Sequence, residues 1–161
     1  MDLTAPPLVP IAVLALASSG QVGAADPAER EANPVPAGVL AGITPQKRPL
    51  SIRVRAGGRR AGWRIGYVTR CEDGTVVRGR YASGGGTPLL DIARDGRFRL
   101  SHSDPAQFEG EGTGTARFTF SGRLTREGGS GIWRLRLVTP PGEDGRVACT
   151  VGPLKWRIDR G

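Results

Sequence analysis

The chain has one histidine, two cysteines, one methionine and only two lysines among its 23 basic residues. One His and two Cys are too few for a structural zinc site, which takes four nitrogen or sulfur donors, so no metal and no cofactor is expected. Cys71 and Cys149 lie far apart in the sequence, and the CxxC spacing of dithiol redox centres does not occur. Apolar runs of membrane-spanning length are missing too. The longest, Leu8 to Ser19, falls short of the roughly 20 residues that a spanning helix requires. The Gly-rich stretch from Ser83 to Pro88, SGGGTP, lacks the lysine and the strand-loop-helix setting of a phosphate loop, and reads as a long hairpin connection. Periodic apolar patterns of the helical kind are almost absent; only LLDIAR and PAERE come near one, and both are short.

What is present is arginine, 21 residues of it, with 25 glycines and 13 prolines and a formal net charge of +8. A surplus of that size attracts polyanions. Acids such as Asp91, Asp95, Glu109 and Glu111 are interspersed, no long basic block forms, and lysine takes little part, so specific nucleic-acid binding is not expected.

The run from Leu8 to Ser19, LVPIAVLALASS, is followed by small residues at the Val22/Ala24 or Gly23/Ala25 spacing that a signal peptidase cuts. Residues 1–25 are therefore read as a signal peptide, although no basic residue precedes the run and Pro10 interrupts it. Residues 26–37 are read as a flexible Pro/Ala-rich linker and 38–161 as a single β domain. The expected location is secreted or extracytoplasmic, in the cell envelope, with no membrane span in the mature chain and a monomeric state.

From about Gly38 the apolar period is two, the mark of half-buried strands. PLSIRVRA sets Leu50, Ile52 and Val54 against Ser51, Arg53 and Arg55. GWRIGYVTRC puts Trp63, Ile65, Tyr67, Thr69 and Cys71 on one face, and Asp73-Gly74 then supplies a tight turn to TVVRGRY. A second Asp-Gly turn, Asp95-Gly96, predicts a hairpin of LLDIA with GRFRL. AQFEGEG is expected to pair with ARFTFSGRL; GIWRLRLV, GRVACTV and LKWRID follow. About 8–10 short strands of this kind predict an all-β antiparallel meander closed as a β-sandwich or flattened β-barrel.

An exported chain with two cysteines in sheet-like surroundings most simply forms one disulfide, Cys71 to Cys149. His102 lies in LSHSDPAQ beside Ser101, Ser103 and Asp104. A Ser-His-Asp triad needs its members to converge from separate elements, so SDP is read as a turn, and no catalytic residue is assigned. Glu109 and Glu111 share a strand face about 7 Å apart and are read as a solvated rim.

The spacing of several motifs resembles a group of small secreted β-rich proteins of actinobacteria and related soil bacteria. The matching residues are Gly38, Gly42 and Thr44; Cys71, Asp73 and Gly74; Gly96, Arg97 and Phe98; Phe120, Gly122 and Leu124; then Cys149, Gly152 and Trp156. Leu40 stands where that group has an aromatic, and the loop from Pro140 to Gly145 is longer. The resemblance implies export, a β-sandwich or barrel and a disulfide; it implies no activity.

Arg53, Arg55, Arg64, Arg70, Arg78 and Arg80 fall on strands expected to be neighbours and form a candidate polyanion face, its partner an anionic envelope polymer. The alternative is a solvated face that charge protects from edge pairing. Trp63, Tyr67, Phe98, Phe118, Trp133 and Trp156 are expected in the core, or lining a barrel for a small apolar ligand. The leading expectation is a non-enzymatic exported binding domain; the ligand carrier is the alternative, and a hydrolase stands third.

Overall fold

A computed structural model describes residues 35–108, 112–140 and 145–160. The expected signal peptide, most of the linker, Glu109 and Glu111 lie outside the described residues. No helix occurs among those residues, and nine strands do: β1 (Gly38–Ile43), β2 (Pro49–Val54), β3 (Arg60–Cys71), β4 (Val76–Ala82), β5 (Leu90–Asp91), β6 (Arg97–Phe108), β7 (Gly112–Leu124), β8 (Gly128–Val138) and β9 (Ala148–Asp159). The chain is all-β and antiparallel, as its alternation of apolar and charged residues requires.

Strands β1 to β4 form one meander and β6 to β9 another, in the hydrogen-bonded order β4-β3-β2-β1-β9-β8-β7-β6. Strand β9 joins them. One of its edges pairs with β8 along its length. The other is shared: Asp159 lies opposite Ala41 of β1, while Thr150 and Cys149 lie opposite Arg70 and Cys71 of β3. Strands β1, β2, β3 and β9 thus close a small barrel, which β4 extends from one side and β8, β7 and β6 from the other. Cys71 and Cys149 form a disulfide at the β3–β9 contact.

Along β3, the pairing with β2 ends at Ile65 and the pairing with β9 starts at Arg70. The Gln46 side chain serves the edge between them. Its amide donates to the Val68 carbonyl at 2.8 Å, and its oxygen accepts from the Val68 N–H at 2.9 Å. A side chain here replaces a missing strand, because unpaired backbone groups away from water are costly.

Apolar positions at period two turn inward on every long strand. Trp63, Tyr67, Phe98, Phe118, Trp133 and Trp156 are all buried, with Phe120, Leu135 and Ile158 among them. One row shows how the rings fit. Phe98, Gly122, Gly131 and Trp156 lie side by side across β6, β7, β8 and β9. The two glycines leave a trough, and the rings at its ends reach over it to stack 6.0 Å apart. A Cβ on either glycine would meet the Trp156 ring.

Three local expectations are corrected. The Asp95-Gly96 turn forms, with Gly96 N–H donating to the Ala93 carbonyl, but Leu90 and Asp91 pair with Ala61 and Arg60 of β3 instead of β6. The pairing with β4 stops at Arg64, which leaves that edge of β3 open to β5, and Leu90 and Ile92 are buried as a result. Second, Ser103-Asp104-Pro105 is not a turn but the middle of β6, whose only ladder among the described residues is with β7. Proline is tolerated there because an edge strand has one side that needs no donor. Third, GRVACTV and LKWRID are one strand, β9. Its register with β8 shifts between Trp133 and Leu135, so Gly152 and Pro153 together face Arg134. This bulge takes up Pro153 without breaking the ladder.

Replacing Gly131 by Ala is expected to destabilise the protein by about 1–3 kcal/mol through overpacking against the backbone of β7 at Ser121 and Gly122 and against the Trp156 ring, read from the urea midpoint; an unchanged midpoint would show that both the β7 backbone and the ring can give way. The disulfide closes 78 residues of chain. Changing both cysteines to Ser is expected to cost up to about 4–5 kcal/mol on the loop-entropy model, and a loss near zero would mean that strand pairing alone holds β3 to β9.

Candidate functional site: an arginine-lined groove and the seam beside it

The six arginines singled out from the sequence are all exposed, on the outward side of β2, β3 and β4 and the turn after β2. The register keeps them apart. Arg53 lies opposite Gly62, Arg64 between Ser51 and Ala82, Arg80 opposite Gly66, and Arg78 opposite Val68. None of these four has another arginine as its direct cross-strand neighbour; Arg55 follows the end of β2, where its N–H donates to the Arg60 carbonyl at 2.8 Å. Arg70 differs, since its neighbour across the β3–β9 contact is Thr150.

Thr150 leads into a second basic surface on the outer face of β6 to β9. Ser103, Arg117, Arg136, Thr150 and Arg70 form one continuous row across β6, β7, β8, β9 and β3. The next row runs Ser101, Thr119, Arg134 and then the bulge at Gly152-Pro153. All of these residues except Arg70, which lies one strand beyond, line a groove of about 640 Å³, with no carboxylate among its lining residues. The bulge bends β9 away, and Gly152 contributes no side chain to fill the space.

Arg117 and Arg136 are direct cross-strand partners, an arrangement in which like charges repel. Among the described residues neither is in an ion pair, and neither is Arg134. The same sheet handles another such pair differently. Arg97 faces Arg123 across β6 and β7, but Asp95 stands beside both: its carboxylate lies 3.4 Å from Arg97 Nε, and its carbonyl accepts from Arg123 Nε at 3.0 Å. Among the described residues the groove has no equivalent of Asp95.

Under one wall of the groove lies a polar cluster. His102 and Asp104 are two residues apart on β6, and period two sends both inward, where the ring nitrogen and carboxylate meet at 2.7 Å. The other carboxylate oxygen accepts from the Tyr81 hydroxyl of β4 at 2.7 Å and from Thr87 at 2.8 Å. Strands β4 and β6 are the two ends of the strand order, so these bonds close by side chains a seam that no backbone ladder closes. The rings of Tyr81 and Phe118 pack 4.8 Å apart beneath it.

Burial pushes the Tyr81 phenol well above its ordinary range, with the Asp104 hydrogen bond and charge adding to it. For Asp104, desolvation acts upward, but the hydrogen bonds from Tyr81, Thr87 and His102 outweigh it and hold the carboxyl below its usual value. Ser101 and Ser103 alternate onto the opposite face, so the His102–Asp104 pair has no serine nucleophile from its own strand. The cluster was missed in the sequence because SDP was read as a turn. Reading β6 straight through would have placed His102 and Asp104 on one face.

The six candidate rings pack on one another instead of standing apart: Trp63 meets Phe118 at 5.3 Å, Tyr67 meets Trp133 at 5.5 Å, and Phe98 meets Trp156 at 6.0 Å. No group of His, Cys, Asp and Glu suited to a metal ion occurs among the described residues.

Because the Asp104 pKa is lowered in the folded protein, its stabilising effect is complete above the unfolded carboxylate value, near 3.9, and fades as pH falls through the lower, folded value. Replacing Asp104 with Asn is expected to cost about 1–2 kcal/mol at pH 7, with the deficit shrinking toward pH 2 in thermal unfolding. A deficit independent of pH would assign the effect to shape and not to charge.

The chain was compared with protein-family models, with curated proteins and with solved structures, and it matches none of them.

Proposed function

We propose that this chain is an extracytoplasmic, non-enzymatic binding domain that holds an anionic polymer of the cell envelope against the outer face of β6 to β9. The observation that carries the reading is the groove in which Arg117, Arg134 and Arg136 stand with serine and threonine hydroxyls and no carboxylate. Guanidinium groups with no ion-pair partner among the described residues are available to an external anion, and hydroxyls beside them add neutral donors. The groove thus replaces the β2–β4 arginines as the primary site in this proposal, with Arg70 next in the row beyond it.

Export is part of the same proposal. A disulfide persists in oxidising compartments, which fits the Cys71–Cys149 bond, and no helix among the described residues is long and apolar enough to cross a membrane. The resemblance to secreted β-rich proteins of soil bacteria points the same way. An apolar-ligand carrier is less favoured, because the rings that would line its cavity are in contact with each other.

The test is binding of the purified protein to immobilised poly(glycerol phosphate) across a salt series. Three phosphate contacts predict a loss of roughly 30-fold in affinity between about 50 and about 200 mM salt. Changing Arg117, Arg134 and Arg136 together to Gln is expected to abolish most of that binding. Affinity indifferent to salt, or unaffected by the triple change, would exclude the groove as the site.

A further inference from the structure

The geometry points to a more specific ligand chemistry for this groove, resting on the binding role proposed above: Arg117 and Arg136 form a clamp for one tetrahedral oxyanion, a phosphodiester or sulfate ester, and the polymer runs across the strands toward Arg70.

The cross-strand repulsion between Arg117 and Arg136 is the first argument. Directly opposed residues of an antiparallel ladder have Cα atoms about 4.5–5.5 Å apart, so two guanidinium groups rise from nearly the same place. Elsewhere in the sheet Asp95 stands beside such a pair, its carboxylate facing Arg97 and its carbonyl accepting from Arg123. Here the pair is left charged, and Arg134, two residues along β8, adds a third cation on the same face. One anion seated between the two forks would accept several N–H bonds and remove the repulsion at once. A tetrahedral group offers oxygens in more than one plane and can engage two planar guanidinium forks simultaneously. A single carboxylate has two oxygens in one plane and is matched to one fork.

The second argument is direction. The row from Ser103 through Arg117, Arg136 and Thr150 to Arg70 crosses five strands. At about 4.8 Å per strand, Arg70 stands roughly 10 Å beyond Arg136, with the Thr150 hydroxyl between them. Along β8, by contrast, the positions flanking the two arginines are Ile132 and Val138, so cations do not continue in that direction. A chain carrying repeated phosphate or sulfate groups can seat one in the clamp and present another to Arg70.

Two measurements test this. The first needs no polymer. If the clamp is strained while empty, Arg136→Gln raises the melting temperature of the free protein by about 1–4 °C, and inorganic sulfate stabilises the wild type more than the variant. A lower melting temperature for Arg136→Gln, or equal stabilisation by sulfate, would mean that the arginine is structural and would overturn the clamp. The second compares poly(glycerol phosphate), a sulfated polysaccharide and polygalacturonate at matched charge and salt. Preference of about tenfold or more for the phosphate or sulfate polymer over the polycarboxylate is expected, and it should disappear in the Arg117→Lys/Arg136→Lys protein, which keeps the charge but loses the forks. The stronger of the phosphate and sulfate polymers identifies the source of the oxyanion. Arg70→Gln should flatten the salt dependence by about one contact, whereas Arg53→Gln, on another part of the surface, should not. Equal binding of all three polymers, with lysine as good as arginine, would overturn the oxyanion clamp and leave the polymer-binding role standing. Binding of none would remove both.

Discussion

Strand β9 is bonded along both edges, and the rest of the molecule follows from that constraint. Its β8 edge carries the second meander, while its other edge is divided between β1 at Asp159 and β3 at Thr150 and Cys149. A strand shared in this way draws two sheets into a closed surface, and the disulfide fixes the two-residue contact of β9 with β3. Because the N-terminal end of β9 touches β3, an arginine from the first meander, Arg70, is carried into line with Arg117 and Arg136 of the second. The composite row exists only while the barrel is closed.

Packing and surface chemistry are linked through the same register. The inward positions are filled by rings and branched chains, and the row with Gly122 and Gly131 lets Phe98 and Trp156 share space that side chains on all four strands would overfill. The outward positions of neighbouring rows carry the arginines. Closure at the far side is of another kind. Between β4 and β6 there is no ladder, and Asp104 gathers Tyr81, Thr87 and His102 instead. Side-chain bonds of this sort are fewer than those of a ladder, and the Tyr81 ring packed on Trp63 and Phe118 supports them.

Much of the fold could be read from the sequence because alternation is a local property. Leu50, Ile52 and Val54, or Leu154, Trp156 and Ile158, declare their buried face without reference to any partner, and the two cysteines had one partner each to choose. What could not be read was which strands lie side by side. Leu90 was assigned to the strand nearest in sequence, whereas the open edge of β3 captured it. Asp104 reads as a turn residue because Pro105 follows it, and proline discloses its tolerance of strands only once the strand is known to be an edge. The arginines were correctly placed outward, but their grouping depended on cross-strand register, which is non-local. Arg117 and Arg136 become neighbours through the length of the β7–β8 hairpin, and Arg70 joins them through a contact that closes only in three dimensions.

The bulge at Gly152-Pro153 has a consequence for how β9 may vary. Cys149 and Val151 point inward at odd positions, and Leu154, Trp156 and Ile158 at even ones. The two halves of the strand are out of phase, and the doubled residue opposite Arg134 is the correction that lets both face the core. Loss of one residue there would bring the halves into a single phase with Cys149, Val151, Leu154, Trp156 and Ile158 all still facing the core, and the bulge would vanish. The extra residue is therefore dispensable for having the disulfide and the Trp156 ring on the same side of one strand. Length at this point bears on the groove opposite Arg134 and not on the packing beneath it.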